Sequence, residues 1–366
     1  MTVVQRGMMS KSYKDFILFS VLVILITVTL FLNFVNQDLF DISEPNNIQF
    51  DQQTLLLDSL TLKQKIAQMI ITYENIENKE ILQKMLIGGI HFGAKEKKSD
   101  FIETINDFQE DATILFFTTA DLEGCWNLFE NFQEFPTLTE IENVQQAYQI
   151  GFQKGKLLKE LGFSINFAPV LDLKDNIWNC RSFSGNSQEI AEKAKAYIKG
   201  IQDNGIIATS KHYPGKTLQG NDPHQGLNKA VIKEEDFLPF ESTIKDNVNA
   251  VMISHIIVEG FLDSQSKPAV VSEKIGQDLR NKFTGLIISD EIRMRGLRDY
   301  YPDINQMYID LFKAENDIIL YFERDPKILY EMINIVEQAV KDGIINEKKI
   351  DDSVIRILKA KGIEVK

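Results

Sequence analysis

Short apolar runs, four to six residues long, punctuate the chain from Gln68 onward. They are Gln68 to Thr72, Gly89 to Phe92, Thr113 to Thr118, Ile165 to Val170, Ile206 to Thr209, Ala250 to Ser254, Leu286 to Ser289 and Ile318 to Tyr321. Runs of this kind suit strands buried on both faces, as in a parallel sheet. Amphipathic stretches separate them. Ile141 to Leu161 places Val144, Ala147, Tyr148, Gly151, Phe152, Gly155 and Leu158 at helical spacing. Ile190 to Ile201 and Lys327 to Val340 behave similarly, and a final helix is expected from Glu347 to Lys361. Eight strands alternating with helices predict an α/β fold, a (β/α)8 TIM-type barrel over residues 53–366. An open doubly wound sheet is the runner-up. No Gly-rich nucleotide fingerprint follows any of the runs, which weakens it.

The N-terminal part of the chain has a different pattern. Residues 16–35 are uncharged and almost wholly apolar, about the 20 residues a helix needs to span hydrocarbon. Arg6, Lys11 and Lys14 precede this run, and Asp38, Asp41 and Glu44 follow it. The positive-inside rule then makes residues 1–15 cytoplasmic, 16–35 a transmembrane signal-anchor helix, and 36–52 a polar linker to a barrel outside the cell membrane. A cleaved signal peptide is the competing reading. The run is long for one, and no small-x-small cleavage site follows it.

Composition narrows the class. With 44% hydrophobic and 25% charged residues, the whole chain has ordinary globular composition. A formal charge of -13 argues against nucleic acid as a partner. Two cysteines, Cys125 and Cys180, offer no metal-ligand spacing. A bridge between them is open, two free thiols being the ordinary alternative.

Polar residues collect where the predicted strands end, the end at which barrels of this type carry their sites. The third strand leads to Asp121-Leu122-Glu123-Gly124, and the fourth to Asp172 and Arg181-Ser182-Phe183. The fifth leads to Lys211-His212 and then Asp222-Pro223-His224, the sixth to His255, and the seventh to Asp290-Glu291. A carboxylate facing a histidine suggests retaining glycoside chemistry. One group attacks the anomeric carbon and another protonates the leaving oxygen. Asp290 is the candidate nucleophile. His224 has a suitable ordinary pKa for acid work, and Asp222 can orient it. Lys211, His212 and Arg181 can bind sugar hydroxyls or an acidic group. The plain alternative is that Lys211 and Asp290 form a buried ion pair while His212 satisfies a backbone carbonyl.

These residues carry a resemblance to glycoside hydrolase family 3, specifically its NagZ-type β-N-acetylhexosaminidases. The family pattern K-H-F-P-G-H-G-D-T-x-x-D-S-H aligns without gaps to Lys211 through His224. Asn166 to Asp172 matches N-F-A-P-V-L-D, Arg181 to Phe183 matches R-S-F, and Ser289 to Met294 resembles S-D-x-x-x-M. The resemblance implies that Asp290 is the nucleophile and that Asp222 and His224 form the acid/base dyad. It also implies that Asp121 and Arg181 bind sugar hydroxyls, that no cofactor or metal is needed, and that the substrate is a carbohydrate containing N-acetylglucosamine. With the outward topology, cell-wall-derived glycans are the expected source.

The chain departs from the pattern at Lys216-Thr217-Leu218-Gln219, where the family has H-G-D-T, and at Pro223, where it has serine. Cys125 replaces the second glycine of D-x-E-G-G, and Trp126, Asn127 and Phe129 stand where arginines are usual. Two alternatives therefore stay open. One is a glycoside phosphorylase, since the dyad family includes members that use phosphate to release the sugar; Lys216 is compatible with it, a solvated loop lysine being the ordinary reading. The other is a barrel that binds glycans without turning them over.

Overall fold

The computed structural model describes residues 19–23, 26–27, 48–51 and 54–366. The chain divides into two units, Met1–Ser43 and Glu44–Lys366. Most of the predicted anchor at 16–35 lies outside the described residues; those that are described, 19–23 and 26–27, are helical. Among the described residues no helix is long and apolar enough to cross a membrane.

The second unit holds eight parallel strands, here β1 (Ile70–Tyr73), β2 (Gly89–His91), β3 (Phe117–Ala120), β4 (Ile165–Asn166), β5 (Ile207–Tyr213), β6 (Ala250–Ile253), β7 (Leu286–Ser289) and β8 (Ile319–Leu320). They lie in sequential order, β1 pairing with β2 on one side and β8 on the other. Between β7 and β8 a parallel bridge joins Ile288 to Ile318, and the Ser289 N–H donates to the Ile318 carbonyl at 2.9 Å. The sheet thus closes into the expected barrel rather than an open doubly wound sheet. All eight predicted runs contribute a strand because parallel strands under helices bury both faces.

Two expectations need correction. β3 begins at Phe117, not at Thr113. Leu115 is 56% exposed, and the Gln109 side chain brackets Phe116, accepting from its N–H and donating to its carbonyl. This local clasp holds residues 113–116 outside the ladder. The helix Val144–Leu161 buries Ala147, Gly151, Gly155 and Leu158 as expected but not the whole predicted face. Val144 and Phe152 are exposed, whereas Lys154 is fully buried. Its register is set by close backbone approach to the next helix, Ser187–Gln202. A Cβ on Gly151 would lie 2.2 Å from the Tyr197 carbonyl oxygen, and one on Gly200 would lie 2.4 Å from the Tyr148 carbonyl oxygen. Only glycine permits that crossing. Asn143 and Asn186 cap the two helices at their N-termini, and Gly162 ends the first at φ +92°.

The last helix, Glu347–Ala360, packs against Leu62–Gln68 outside the barrel, as expected. Beyond it, Glu364–Val365 pairs with Thr54–Leu55, which in turn pairs with Phe50–Asp51. The end of the predicted linker is therefore joined by a small sheet to the chain's C-terminus.

Candidate active site

The C-terminal ends of the strands surround a cavity of about 280 Å³. Of the seven candidate residues, Asp121, Arg181, Lys211, His212, His224 and Asp290 line it. The seventh, Asp222, stands behind His224. Larger clefts of about 540 and 610 Å³ lie elsewhere, the first at the opposite end of the barrel around Ile207 and Leu286. Neither contains any of the seven.

A buried charge cluster forms one wall. Lys211, at 2% exposure, donates to Asp121 Oδ1 at 2.6 Å and forms an ion pair with Glu123 Oε1 at 2.5 Å. Arg181 grips both Glu123 oxygens, through Nε and Nη2, each at 2.6 Å. Burial alone would raise the Glu123 carboxyl; Arg181 and Lys211 outweigh it and hold the group far below the carboxylate range. Glu123, to which the sequence motif assigns no role, is the anion that organises both cations. Asp121 and Glu123, two residues apart in sequence, both reach Lys211. That spacing was the available signal. The ion pair between Lys211 and Asp290 considered as the plain alternative does not form, since Lys211 is engaged by Asp121 and Glu123.

His212 is fixed from behind. Its Nδ1 lies 3.2 Å from Asp172 Oδ2, and the Thr217 N–H donates to Asp172 Oδ1 at 2.6 Å. Its partner is thus a carboxylate, not a backbone carbonyl. Asp172, which had no assigned role, orients the ring and anchors the start of the divergent loop. Lys216 points away from the cavity, donating to the Val231 carbonyl at 2.8 Å and pairing with Asp236 at 3.2 Å.

The opposite wall holds the nucleophile candidate. Asp290 follows β7, its N–H bonded to the Ile253 carbonyl and its Oδ1 accepting the Glu291 N–H at 2.8 Å. Burial pushes its carboxyl up, but attraction to the His255 and His212 rings, the Glu291 N–H and Lys211 together keep it below the ordinary range. His255 lies buried beside Asp290, with Nε2 2.8 Å from the Glu291 carbonyl. Burial raises the neighbouring Glu291 to about 7. His91 forms part of the cavity wall, its Nδ1 3.0 Å from the Thr119 hydroxyl; burial and the nearby Lys211 lower it to about 3.

Asp222 and His224 form a dyad on a rim loop. Asp222 Oδ1 takes His224 Nδ1 at 2.7 Å and the His224 N–H at 2.9 Å. This leaves Nε2 as the nitrogen able to exchange a proton with a ligand. The His224 side chain is 55% exposed. Pro223 does not break the loop. Its carbonyl accepts the Gly296 N–H at 2.8 Å, tying the dyad loop to the segment after Asp290.

Cys125 and Cys180 are bonded, with Cα atoms 5.5 Å apart, so the free-thiol expectation is corrected. The loops after β3 and β4 bring them together across 55 residues of sequence. Among the described residues no group of His, Cys, Asp and Glu is arranged to hold a metal.

Comparison with known proteins follows the same lines. Residues 61–360 match the family described as Glycosyl hydrolase family 3 N terminal domain. The chain is 26% identical over 328 residues to a Beta-N-acetylglucosaminidase/beta-glucosidase of Cellulomonas fimi, covering 81% of this chain and 57% of that one. It is 27% identical over 241 residues to Beta-hexosaminidase LpqI of Mycobacterium bovis, covering 62% and 61% of the two chains. The chain thus spans about three-fifths of the length of these relatives. In structure it resembles a glycoside hydrolase family 3 beta-N-acetylglucosaminidase from Paenibacillus sp. str. FPU-7, with TM-score 0.75 and 24% identity over 83% of this chain and 62% of that one. M tuberculosis LpqI gives the same TM-score at 22% identity, covering 88% of this chain and 97% of its own. At these identities the structural likeness speaks for the fold.

Proposed function

Because the chain belongs to glycosyl hydrolase family 3, we propose that it hydrolyses β-N-acetylglucosaminides with retention of configuration. The carrying observation is that His224, held by Asp222, and Asp290 line one cavity. In this reading Asp290 attacks the anomeric carbon while His224 Nε2 protonates the glycosidic oxygen, and the aglycone leaves as an alcohol. Water then attacks the glycosyl-enzyme, His224 removes its proton, and Asp290 is released. Asp222 keeps the His224 ring in one tautomer. Lys211, Arg181, Asp121 and His212 bind the sugar, with Glu123 and Asp172 holding the cations and the ring in place. The Cellulomonas fimi relative, named a Beta-N-acetylglucosaminidase/beta-glucosidase, supports an N-acetylglucosaminide as the sugar.

The phosphorylase alternative, raised by the family resemblance, gains no support from Lys216, which is engaged by Asp236 and Val231 away from the cavity. The apolar run at 16–35 motivates the further proposal of a single-pass anchor with an extracytoplasmic barrel acting on cell-wall-derived glycans. Membrane fractionation with external protease tests it; a soluble full-length chain would contradict it. The activity test is release of p-nitrophenol from its β-N-acetylglucosaminide, with and without phosphate. Turnover that needs no phosphate supports the hydrolase. Strict phosphate dependence, or glycan binding without turnover, would overturn it.

A further inference from the structure

The proposed chemistry leaves the only two tryptophans of the chain unused. Trp126 and Trp178 meet edge to face, with ring centroids 6.4 Å apart and planes at 73°. Together they make an open corner. Trp126 is 50% exposed. Trp178 packs against the His224 ring at 6.1 Å and 84°, and the Arg181 guanidinium covers one of its faces at 4.7 Å. The corner therefore adjoins the dyad at the cavity mouth.

Both side chains sit on backbone that is firmly held. Asp175 accepts the N–H groups of Ile177 and Trp178 on Oδ1 and those of Cys180 and Arg181 on Oδ2, at 2.8 to 3.1 Å. The Gly124 N–H donates to the Trp126 carbonyl at 3.0 Å. The Cys125–Cys180 disulfide then ties one loop to the other, next to Trp126 and two residues from Trp178. A pinned aromatic pair in water loses little further entropy when it takes up a ligand. Such an arrangement is informative because large apolar surface is exposed where packing does not require it.

We propose that Trp126 and Trp178 form the leaving-group subsite, in which the sugar on the reducing side of the scissile bond stacks on Trp126 and abuts Trp178. This rests on the reading of His224 as general acid. The acid must face the glycosidic oxygen, so the departing residue lies on the His224 side, where the corner stands. A pyranose offers an apolar face of axial C–H groups to an indole, while its hydroxyls stay at the rim in water.

The test compares N,N′-diacetylchitobiose with methyl β-N-acetylglucosaminide, whose leaving group is too small to reach the corner. Trp126→Ala is expected to lower kcat/KM on the disaccharide by about tenfold, mostly through KM, as for loss of an aromatic anchor. The methyl glycoside should change by less than about twofold, and Trp126→Phe should restore most of the loss. Equal losses on the two substrates, or none on either, overturn the subsite. A second measurement is independent of turnover. Asp290→Asn titrated with diacetylchitobiose should show a saturable change in tryptophan emission, because both tryptophans of the chain lie in this corner. That change should be lost or weakened with Trp126→Ala added. If the wild type hydrolyses neither substrate, the hydrolase reading fails, and the titration still decides the subsite. Emission unaffected by millimolar disaccharide would overturn it.

Discussion

Glu123→Gln is the most informative single perturbation of the charge cluster. Glu123 is fully buried and holds Arg181 through two bonds of 2.6 Å and Lys211 through one contact of 2.5 Å. Gln keeps the shape but removes the charge. Lys211 retains Asp121 at 2.6 Å, so its positive charge stays matched. Among the described residues Arg181, whose side chain is 7% exposed, forms no other ion pair, Asp121 and Asp172 attracting it from further off. Leaving a buried charge unpaired costs about 3–5 kcal/mol. For a domain of this size that lowers Tm by about 6–10 °C, at roughly 2 °C per kcal/mol. Thermal unfolding followed by far-UV circular dichroism and calorimetry would read the loss. Adding Arg181→Met removes the orphaned cation and should return at least about 1 kcal/mol, a coupling typical of contacting residues. Activity should stay low in the double variant, because the sugar-binding cation is gone. A loss below about 1 kcal/mol in Glu123→Gln, with strict additivity in the double variant, would refute Glu123 as the organising anion.

Further outcomes test other links. His224→Ala should slow alkyl glycosides by about 10²–10⁴-fold while p-nitrophenyl glycosides lose far less, since a phenolate leaves with little protonation; a uniform loss would count against the acid role. Lys154 is fully buried, its ammonium donating to the Glu123 carbonyl at 2.9 Å, and burial lowers it from 10.5 to about 7. The unfolded chain then binds that proton more tightly between these values, so wild-type stability should rise with pH from about 7 to 10.5, by at most about 5 kcal/mol. In Lys154→Met that rise should shrink in urea-unfolding curves without vanishing, because burial also lowers Lys361 to about 7; identical pH dependence in the two proteins would refute the depressed Lys154. Gly151→Ala should destabilise by about 1–3 kcal/mol, because its Cβ would meet the Tyr197 carbonyl oxygen at 2.2 Å. A stabilised Gly151→Ala, as intrinsic helix propensity alone would give, would show that the two helices can separate freely.

The barrel was legible in the chain because parallel strands leave unbroken apolar runs, and each run marks where a loop toward the site begins. Seven polar residues could be assigned from those loop positions. What stayed hidden was how they pair. Glu123 sat in plain view beside Asp121, but its burial depends on two cations from the loops after β4 and the end of β5, which sequence spacing does not bring together. Asp172 likewise gains its role only when β4 and β5 lie side by side. Lys154 was hidden for the opposite reason. A lysine on a helix reads as solvent-facing, and only the glycine-mediated contact with the neighbouring helix rotates it inward. Two cysteines carry no pairing information by themselves. Their bridge follows from adjacent loops on neighbouring strands.

The central claim is that Asp290 forms a covalent bond to the sugar. The direct measurement is mass spectrometry of the protein quenched during turnover of a 5-fluoro-N-acetylglucosaminyl fluoride, which slows release of the intermediate. The account predicts a mass increase of one fluorosugar, mapped to the peptide containing Asp290 and absent from Asp290→Asn. An adduct on a different residue, or hydrolysis with inversion and no adduct, would contradict it.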